Sequence, residues 1–159
     1  MVGVVLAAGD GKRLKNSKNE DCCKPLIKIN EKSLITYALD NLVRLGVPEA
    51  YIVVGKEGAL IKNALGNQYG NIELHYVCQQ EQKGLMNAFL QALNAMTCYE
   101  TVVLQLSDEI FVDLKSESIK GLIEAEKADF YCGVTLEENP QKIKNNFEIR
   151  ILLNKRFLN

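Results

Sequence analysis

The stretch VGVVLAAGDGKRLKNSKNEDCCKP, from Val2 to Pro25, decides how this chain folds. It opens with a continuous apolar run, Val2 to Ala8, which is too short to cross a membrane and predicts a strand buried on both faces of a sheet. Gly9 and Gly11 follow directly, and glycines at this point allow backbone angles that other residues avoid. Their N–H groups can then approach an anion, so the end of this strand is a candidate phosphate site.

Basic side chains lie close to this glycine turn in the sequence. Lys12 and Arg13 come directly after Gly11, and Lys24 precedes Pro25. Backbone donors supply shape to a phosphate site, whereas ammonium and guanidinium groups supply charge. The turn does not follow the P-loop pattern GxxxxGK[ST]. It also departs from the dinucleotide fingerprint GxGxxG, because the third glycine is missing. Strand-to-helix turns also use glycines for geometry alone, so a purely structural turn is the alternative.

Composition indicates one globular domain and no affinity for nucleic acid. The 159 residues carry 19 basic and 20 acidic side chains, a net charge of −1, whereas nucleic-acid binders are usually strongly basic. The apolar runs are too short for a membrane span, and the N-terminus lacks a signal-peptide pattern. We therefore expect a cytoplasmic protein without a membrane partner. A monomer and a homo-oligomer are both compatible with the sequence.

The cysteines support the same compartment. There are five of them, an odd number, and none has CxxC spacing. A zinc site and a disulfide framework are therefore both disfavoured, and a reducing compartment is favoured. Cys22 and Cys23 are expected in an exposed loop beside Lys24.

Strands and helices alternate along the chain, and this order predicts a three-layer α/β/α domain with a mostly parallel sheet. Further strands are predicted at residues 50–54, 71–78, 100–106, 128–136 and 147–153, after a short extended piece at 25–29. Helices are predicted at residues 33–45, 57–65, 84–96 and 114–125. The segment 128–136 is so rich in apolar residues that we place it in the middle of the sheet. His75, the one histidine, is assigned to the surface.

Two later segments place polar groups where strands are predicted to end. Gln79 and Gly84 lie between the third strand and the next helix, and an amide offers both a donor and an acceptor. Asp108 and its neighbours Ser107 and Glu109 follow the fourth strand. Open α/β sheets bind ligands beyond the carboxyl ends of their strands, so Ser107, Asp108 and Glu109 are candidates for a ligand site. An acidic pair in a solvated turn is the ordinary alternative.

Three segments together resemble the sugar-1-phosphate nucleotidyltransferases, also called sugar-nucleotide pyrophosphorylases. They are LAAGDGKRL at Leu6 to Leu14, KPLIKI at Lys24 to Ile29, and LSDEIFV at Leu106 to Val112. The resemblance implies a Rossmann-like sheet with one antiparallel strand. It also implies an enzyme that transfers a nucleotidyl group from a nucleoside triphosphate to a sugar 1-phosphate and releases pyrophosphate. Both substrates are thus implied partners.

Carried over residue by residue, the resemblance implies a nucleotide site. The nucleotide-binding set is Leu6, Ala8, Gly9, Gly11, Gln79 and Gly84. Arg13 and Lys24 correspond to catalytic residues that contact the phosphates, and Asp108 corresponds to the aspartate that holds Mg²⁺. Gln79 and Gly84 would read a pyrimidine base, which implies dTTP, UTP or CTP, and Gln80 competes with Gln79 for this role. Ser107 departs from the family pattern, which has glycine there.

In the resembling family the domain continues, with a glutamate–lysine pair that holds the sugar phosphate and a second metal-binding aspartate. Neither has a recognisable counterpart here, so we expect residues 1–159 to form a single nucleotidyltransferase-like domain without the family's C-terminal sugar-binding part. One alternative is an enzyme with another acceptor, such as a phosphocholine cytidylyltransferase or a molybdopterin guanylyltransferase. The other is a shortened, non-catalytic nucleotide-binding module, or a subunit completed by a partner.

Overall fold

The fold is organised around a seven-stranded sheet with the N-terminal strand at its centre. A computed structural model describes residues 1–9, 11, 23–98, 100–111, 116–125, 130–133 and 150–154. The strands are β1 (Val2–Ala7), β2 (Lys28–Ile29), β3 (Lys32–Ser33), β4 (Glu49–Val54), β5 (Gln68–Tyr69), β6 (Ile72–Cys78), β7 (Thr101–Leu106), β8 (Phe130–Gly133) and β9 (Arg150–Asn154). The α-helices are α1 (Leu34–Leu45), α2 (Gly58–Leu65), α3 (Leu85–Ala95) and α4 (Ser116–Glu124), and a 3₁₀ turn covers Lys24–Leu26.

The sheet is mixed but mostly parallel. Its strand order is β5-β6-β4-β1-β7-β9-β8, and β6, β4, β1 and β7 run in the same direction. In this register Leu6 of β1 lies opposite Val53 of β4 and Leu106 of β7. β9 runs antiparallel to both β7 and β8, as the resemblance implied for one strand, and the short edge strand β5 is a second antiparallel strand, paired with β6. β2 and β3 form a separate two-stranded hairpin.

Alternate side chains of β1 point into two different cores. Val5 and Ala7 pack with Ile35 and Leu39 of α1 on one face, where α2 also lies. Val4 and Leu6 pack against the other face with Phe89 of α3. A strand that is apolar at every position therefore has helices on both sides, as expected for a parallel sheet. This arrangement confirms the predicted three-layer α/β/α class.

The four predicted helices are confirmed in type and place, and each begins within two residues of its predicted start. α1 ends at Gly46, whose φ of 75° is the left-handed conformation that favours glycine at a helix end. Ser33 occupies the position before α1, but its side chain makes no capping hydrogen bond. The piece at 25–29 divides into the 3₁₀ turn and β2, so a fully extended conformation there was wrong.

The predicted central position of segment 128–136 is also wrong. Its described part, β8, pairs with β9 and ends the strand order of the described sheet. The physical reason is that β9, from later in the chain, lies between β7 and β8 and takes the inner position. A high content of apolar residues indicates that a strand is buried. It does not indicate which strands lie beside it in the sheet.

Cys23 is buried, so the prediction that it lies in an exposed loop is wrong. The N–H of Leu26 donates to the carbonyl of Cys23 at 2.9 Å and closes the 3₁₀ turn. The Cys23 side chain then packs into the core that contains α1, where it contributes as a small apolar group. Cys22 lies outside the described residues.

No helix in the described part of the chain combines the length and apolar character needed to span a membrane.

One buried polar pair joins α1 to the sheet and gives a stability prediction. The Nδ2 of Asn41 donates to the Oε1 of Gln105 at 3.2 Å, and the two side chains are 2% and 6% exposed. Replacing one partner leaves the other amide buried without its hydrogen bond, which costs about 1–3 kcal/mol. We therefore expect Asn41→Leu and Gln105→Met each to lower the free energy of unfolding by about that amount in urea titrations.

The double variant Asn41→Leu/Gln105→Met is the control, because it removes both polar groups while keeping similar shapes. It should be more stable than either single variant, since no amide is left unpaired. A double variant whose loss equals the sum of the two single losses would contradict this account of the pair.

Candidate active site

A cleft of about 350 Å³ opens beyond the carboxyl ends of β1 and β7, beside the beginning of α3. It is lined by Leu6, Ala8, Gly9, Lys24, Pro25, Gln79, Gln82, Gly84, Leu85, Ala88, Leu106, Ser107 and Asp108. This is the edge where parallel α/β sheets bind ligands. Of the nine residues that the sequence predicted for the site, seven line this cleft: Leu6, Ala8, Gly9, Lys24, Gln79, Gly84 and Asp108.

Strand periodicity explains why Asp108 faces the cleft. Val102 and Leu104 pack on the α3 side of the sheet, and Leu106 packs against the same core. Asp108 continues this alternation by two further residues and reaches the cleft at the same edge. Between them, the N–H of Ser107 donates to the carbonyl of Leu6 at 3.1 Å and extends the pairing of β1 with β7. Ser107 is buried, so its extra side chain fits without closing the cleft.

The two glycines of the turn have different roles. Gly11 has a φ of 60°, which confirms the expected left-handed conformation, and a Cβ placed there would lie 3.6 Å from the Cβ of Lys24. Gly9 is not left-handed, so a special backbone angle does not explain this glycine. A Cβ at Gly9 would have no atom within 4 Å among those described, so the space above it stays open to the cleft. Arg13 lies outside the described residues.

Lys24 and Asp108 form an ion pair at one side of the cleft, between Nζ and Oδ2. Their side chains are 36% and 34% exposed, so solvent reaches both charges. The 3₁₀ turn holds Lys24 in place, because Pro25 is buried and the N–H of Ile27 donates to the Lys24 carbonyl at 3.1 Å. Among the described residues, the cleft lining therefore has one cation and one anion, which a ligand with phosphates and a metal ion could engage separately.

Gln79 enters the opposite side of the cleft directly after β6. Its N–H donates to the carbonyl of Val54 at 2.8 Å, which extends the pairing of β6 with β4 by one residue. Its side chain is buried, and the Nε2 donates to the Oδ1 of Asn87 at 3.0 Å and approaches the carbonyl of Gly84 at 3.5 Å. Gln80 is exposed and does not line the cleft. The geometry therefore favours Gln79 over Gln80 as the cleft amide.

Gln82 connects this loop to the glycine turn, a contact that sequence reasoning missed. Its Nε2 donates to the carbonyl of Ala8 at 2.8 Å. The backbone of Gly55 also lies close to this carbonyl. A Cβ added at position 55 would be 2.9 Å from the Ala8 oxygen. The cue in the sequence was the glutamine-rich run from Gln79 to Gln82, which has one amide more than the two that the resemblance considers for the base.

The site also fits the magnesium ion that the resemblance implies, provided that the ion binds through one carboxylate together with substrate phosphates. The described residues contain no group of three or more histidine, cysteine, aspartate or glutamate side chains that could hold a metal ion. Mg²⁺ usually keeps several waters and binds through one or two carboxylates together with substrate phosphates. The solvent-accessible carboxylate of Asp108, at the cleft wall, suits that mode, whereas Glu109 is buried and does not line the cleft.

Known nucleotidyltransferases resemble this chain in sequence and in fold. A protein of Haloferax volcanii described as a UTP–glucose-1-phosphate uridylyltransferase is 36% identical over 111 residues, which are 70% of this chain and 44% of that protein. The chain thus spans less than half of the length of this relative.

Two solved structures share the fold. A Bacillus anthracis protein described as a glucose-1-phosphate thymidylyltransferase superposes with a TM-score of 0.74 at 22% identity, over 83% of this chain and 54% of the other. The inositol-1-phosphate CTP transferase of T. maritima gives a TM-score of 0.71 at 19% identity, over 97% of this chain and 70% of the other. The family model for nucleotidyl transferases matches residues 2–147. This chain belongs to the nucleotidyl transferase family, the family of the sugar-1-phosphate nucleotidyltransferases that its sequence resembles.

Proposed function

We propose that this domain transfers a nucleotidyl group from a pyrimidine nucleoside triphosphate, UTP, dTTP or CTP, to a sugar 1-phosphate and releases pyrophosphate. The observation that carries the proposal is that Gly9, Lys24, Asp108 and Gln79 line one cleft. Phosphate, metal and base recognition would thus occur along one continuous surface. The related uridylyltransferase supports the same class of reaction.

The distribution of groups suggests how the nucleotide lies in the cleft. The base would lie against Gln79 and Gly84, beside the apolar side chains of Leu85 and Ala88. The triphosphate would extend toward Gly9, where no side chain of the described residues lies against the backbone, and toward the ammonium of Lys24. Arg13 would contact the pyrophosphate, as the resemblance implies. The acceptor would then approach from the open side of the cleft.

The chemical step needs positioning and charge neutralisation more than covalent help from the protein. An oxygen of the sugar phosphate forms a bond to the α-phosphorus, and the bond from this phosphorus to the oxygen that bridges to the β-phosphorus breaks. The electron pair of that bond leaves with pyrophosphate. Lys24 and Arg13 would stabilise the negative charge that develops on the departing group.

Asp108 would hold Mg²⁺ together with the phosphate oxygens when the nucleotide is bound. The ion would neutralise phosphate charge and orient the triphosphate. Lys24, which pairs with Asp108 in this structure, would then be released to contact the phosphates. This exchange of partners keeps both charges compensated before and after binding.

The proposal predicts pyrophosphate release when the domain is incubated with Mg²⁺, a pyrimidine nucleoside triphosphate and a sugar 1-phosphate. The measurement is a coupled pyrophosphate assay over four nucleoside triphosphates and several phosphorylated acceptors. Nucleotide binding without pyrophosphate release from any acceptor would instead favour the non-catalytic module. A preference for GTP would contradict the proposed pyrimidine site.

Lys24→Met is expected to lower kcat/KM by about 10²-fold or more, because it removes a fixed positive charge from the phosphate site. Lys28→Met is the matched control, since Lys28 is exposed and does not line the cleft. Steady-state kinetics of both variants test the assignment. Equal activity of Lys24→Met and Lys28→Met would show that Lys24 does not serve the phosphates.

Asp108→Asn is expected to abolish the strengthening of nucleotide binding by Mg²⁺, because the amide lacks the charge that holds the ion. Calorimetric titrations with UTP, with and without Mg²⁺, measure this directly and do not require turnover. Glu117→Gln, an exposed carboxylate change on α4, is the control. If Mg²⁺ strengthens binding to Asp108→Asn as much as to the unmodified protein, the metal site lies elsewhere.

A further inference from the structure

Three amide side chains form a continuous hydrogen-bonded chain behind the cleft. The Nε2 of Gln79 and the Nε2 of Gln91 each donate to the Oδ1 of Asn87, both at 3.0 Å. Asn87 and Gln91 lie one turn apart on α3, whereas Gln79 comes from the loop after β6. Asn87 is thus the point where α3 is connected to the buried cleft amide.

This network fixes which end of the Gln79 amide faces the cleft. An amide has one oxygen acceptor and one nitrogen with two donors. The nitrogen of Gln79 points toward Asn87 and toward the carbonyl of Gly84, 3.5 Å away. The oxygen therefore points away from these acceptors, and among the described residues no donor is hydrogen-bonded to it. Both N–H directions of this cleft-lining amide are thus occupied, and the oxygen is the side-chain atom of Gln79 that is left to accept from a ligand.

We propose that Asn87 is a positioning residue that holds the Gln79 amide with its oxygen toward the base, and that the cleft thereby selects uracil or thymine over cytosine. This inference rests on the proposed function and deepens it. Asn87 itself does not line the cleft. It acts through Gln79, and the substrate class it selects is a nucleoside triphosphate whose base has a hydrogen on N3.

The selection follows from the chemistry of the three pyrimidines. Uracil and thymine carry an N3–H, which can donate to the Gln79 oxygen, whereas N3 of cytosine is an acceptor. A buried acceptor that meets another acceptor leaves both groups without a hydrogen bond. Gly84 does not compensate for cytosine, because its carbonyl already accepts from the N–H of Ala88 at 3.2 Å and from the Nε2 of Gln79 at 3.5 Å, which uses both of its lone pairs. A site built around a hydrogen bond rejects analogues that lack it more strongly than an apolar pocket does.

The experiment measures dissociation constants of UTP, dTTP and CTP by calorimetry without acceptor, in the unmodified domain and in variants. The unmodified domain should bind UTP and dTTP at least about tenfold more tightly than CTP, a difference of about 1.4 kcal/mol. In Asn87→Ala the Gln79 amide loses its fixed acceptor and can rotate, so the ratio of CTP to UTP dissociation constants should fall toward one. Asn87→Asp should restore the ratio, because a carboxylate accepts from both glutamines.

Asn94→Ala is the matched control, since it makes the same change at an exposed position of α3 and should leave the ratio unchanged. A role of Asn87 in folding alone would weaken all three nucleotides equally and would not be rescued by Asn87→Asp. Preference for CTP in the unmodified domain, or an unchanged ratio in Asn87→Ala, would overturn the inference while leaving nucleotidyl transfer intact. Absence of binding by any nucleoside triphosphate would overturn both proposals.

Discussion

The parallel pairing of β1 with β4 on one side and β7 on the other is the constraint on which the site depends. Leu6 lies opposite both Val53 and Leu106, so the three strands reach the same edge of the sheet in register. The carboxyl end of β1 then continues into the glycine turn, and that of β7 continues into Asp108. Because a one-residue slip would turn side chains to the opposite face, the two buried cores also fix the direction in which Asp108 points.

This register brings groups together that are far apart in the sequence. Lys24 and Asp108 are separated by 84 positions, and they meet because the 3₁₀ turn after the glycine segment packs onto α1 beneath the cleft. A second connection runs from Gln82 to the carbonyl of Ala8 and links the loop that follows Gln79 to the end of β1 beside Gly9. The positions of the proposed base and phosphate groups are therefore coupled through the backbone at the end of β1.

Much of this site follows from local pattern, and the rest depends on packing. The glycine turn and Asp108 could be predicted because strand ends in an open α/β sheet are marked by the switch from apolar to polar residues, whereas Gln79 was predicted from the family resemblance. The inner position of β9 could not, because strand order depends on tertiary packing that periodicity does not report. The hydrogen bond of Asn87 to Gln79 was not predicted either, because it joins α3 to the loop after β6, eight residues away, and periodicity does not report contacts between elements. Its cue was an amide one turn before Gln91 on a helix otherwise described by its apolar stripe.

The central claim is that one cleft binds a nucleoside triphosphate, with its base at Gln79 and its phosphates at Lys24 and Asp108. A crystal structure of the domain with UTP and Mg²⁺ tests it most directly. The account predicts the base within hydrogen-bond distance of Gln79, the triphosphate over Gly9, and Lys24 moved from Asp108 to the phosphates. UTP bound elsewhere, or bound in this cleft with the base at Lys24 and the Lys24–Asp108 pair intact, would contradict it.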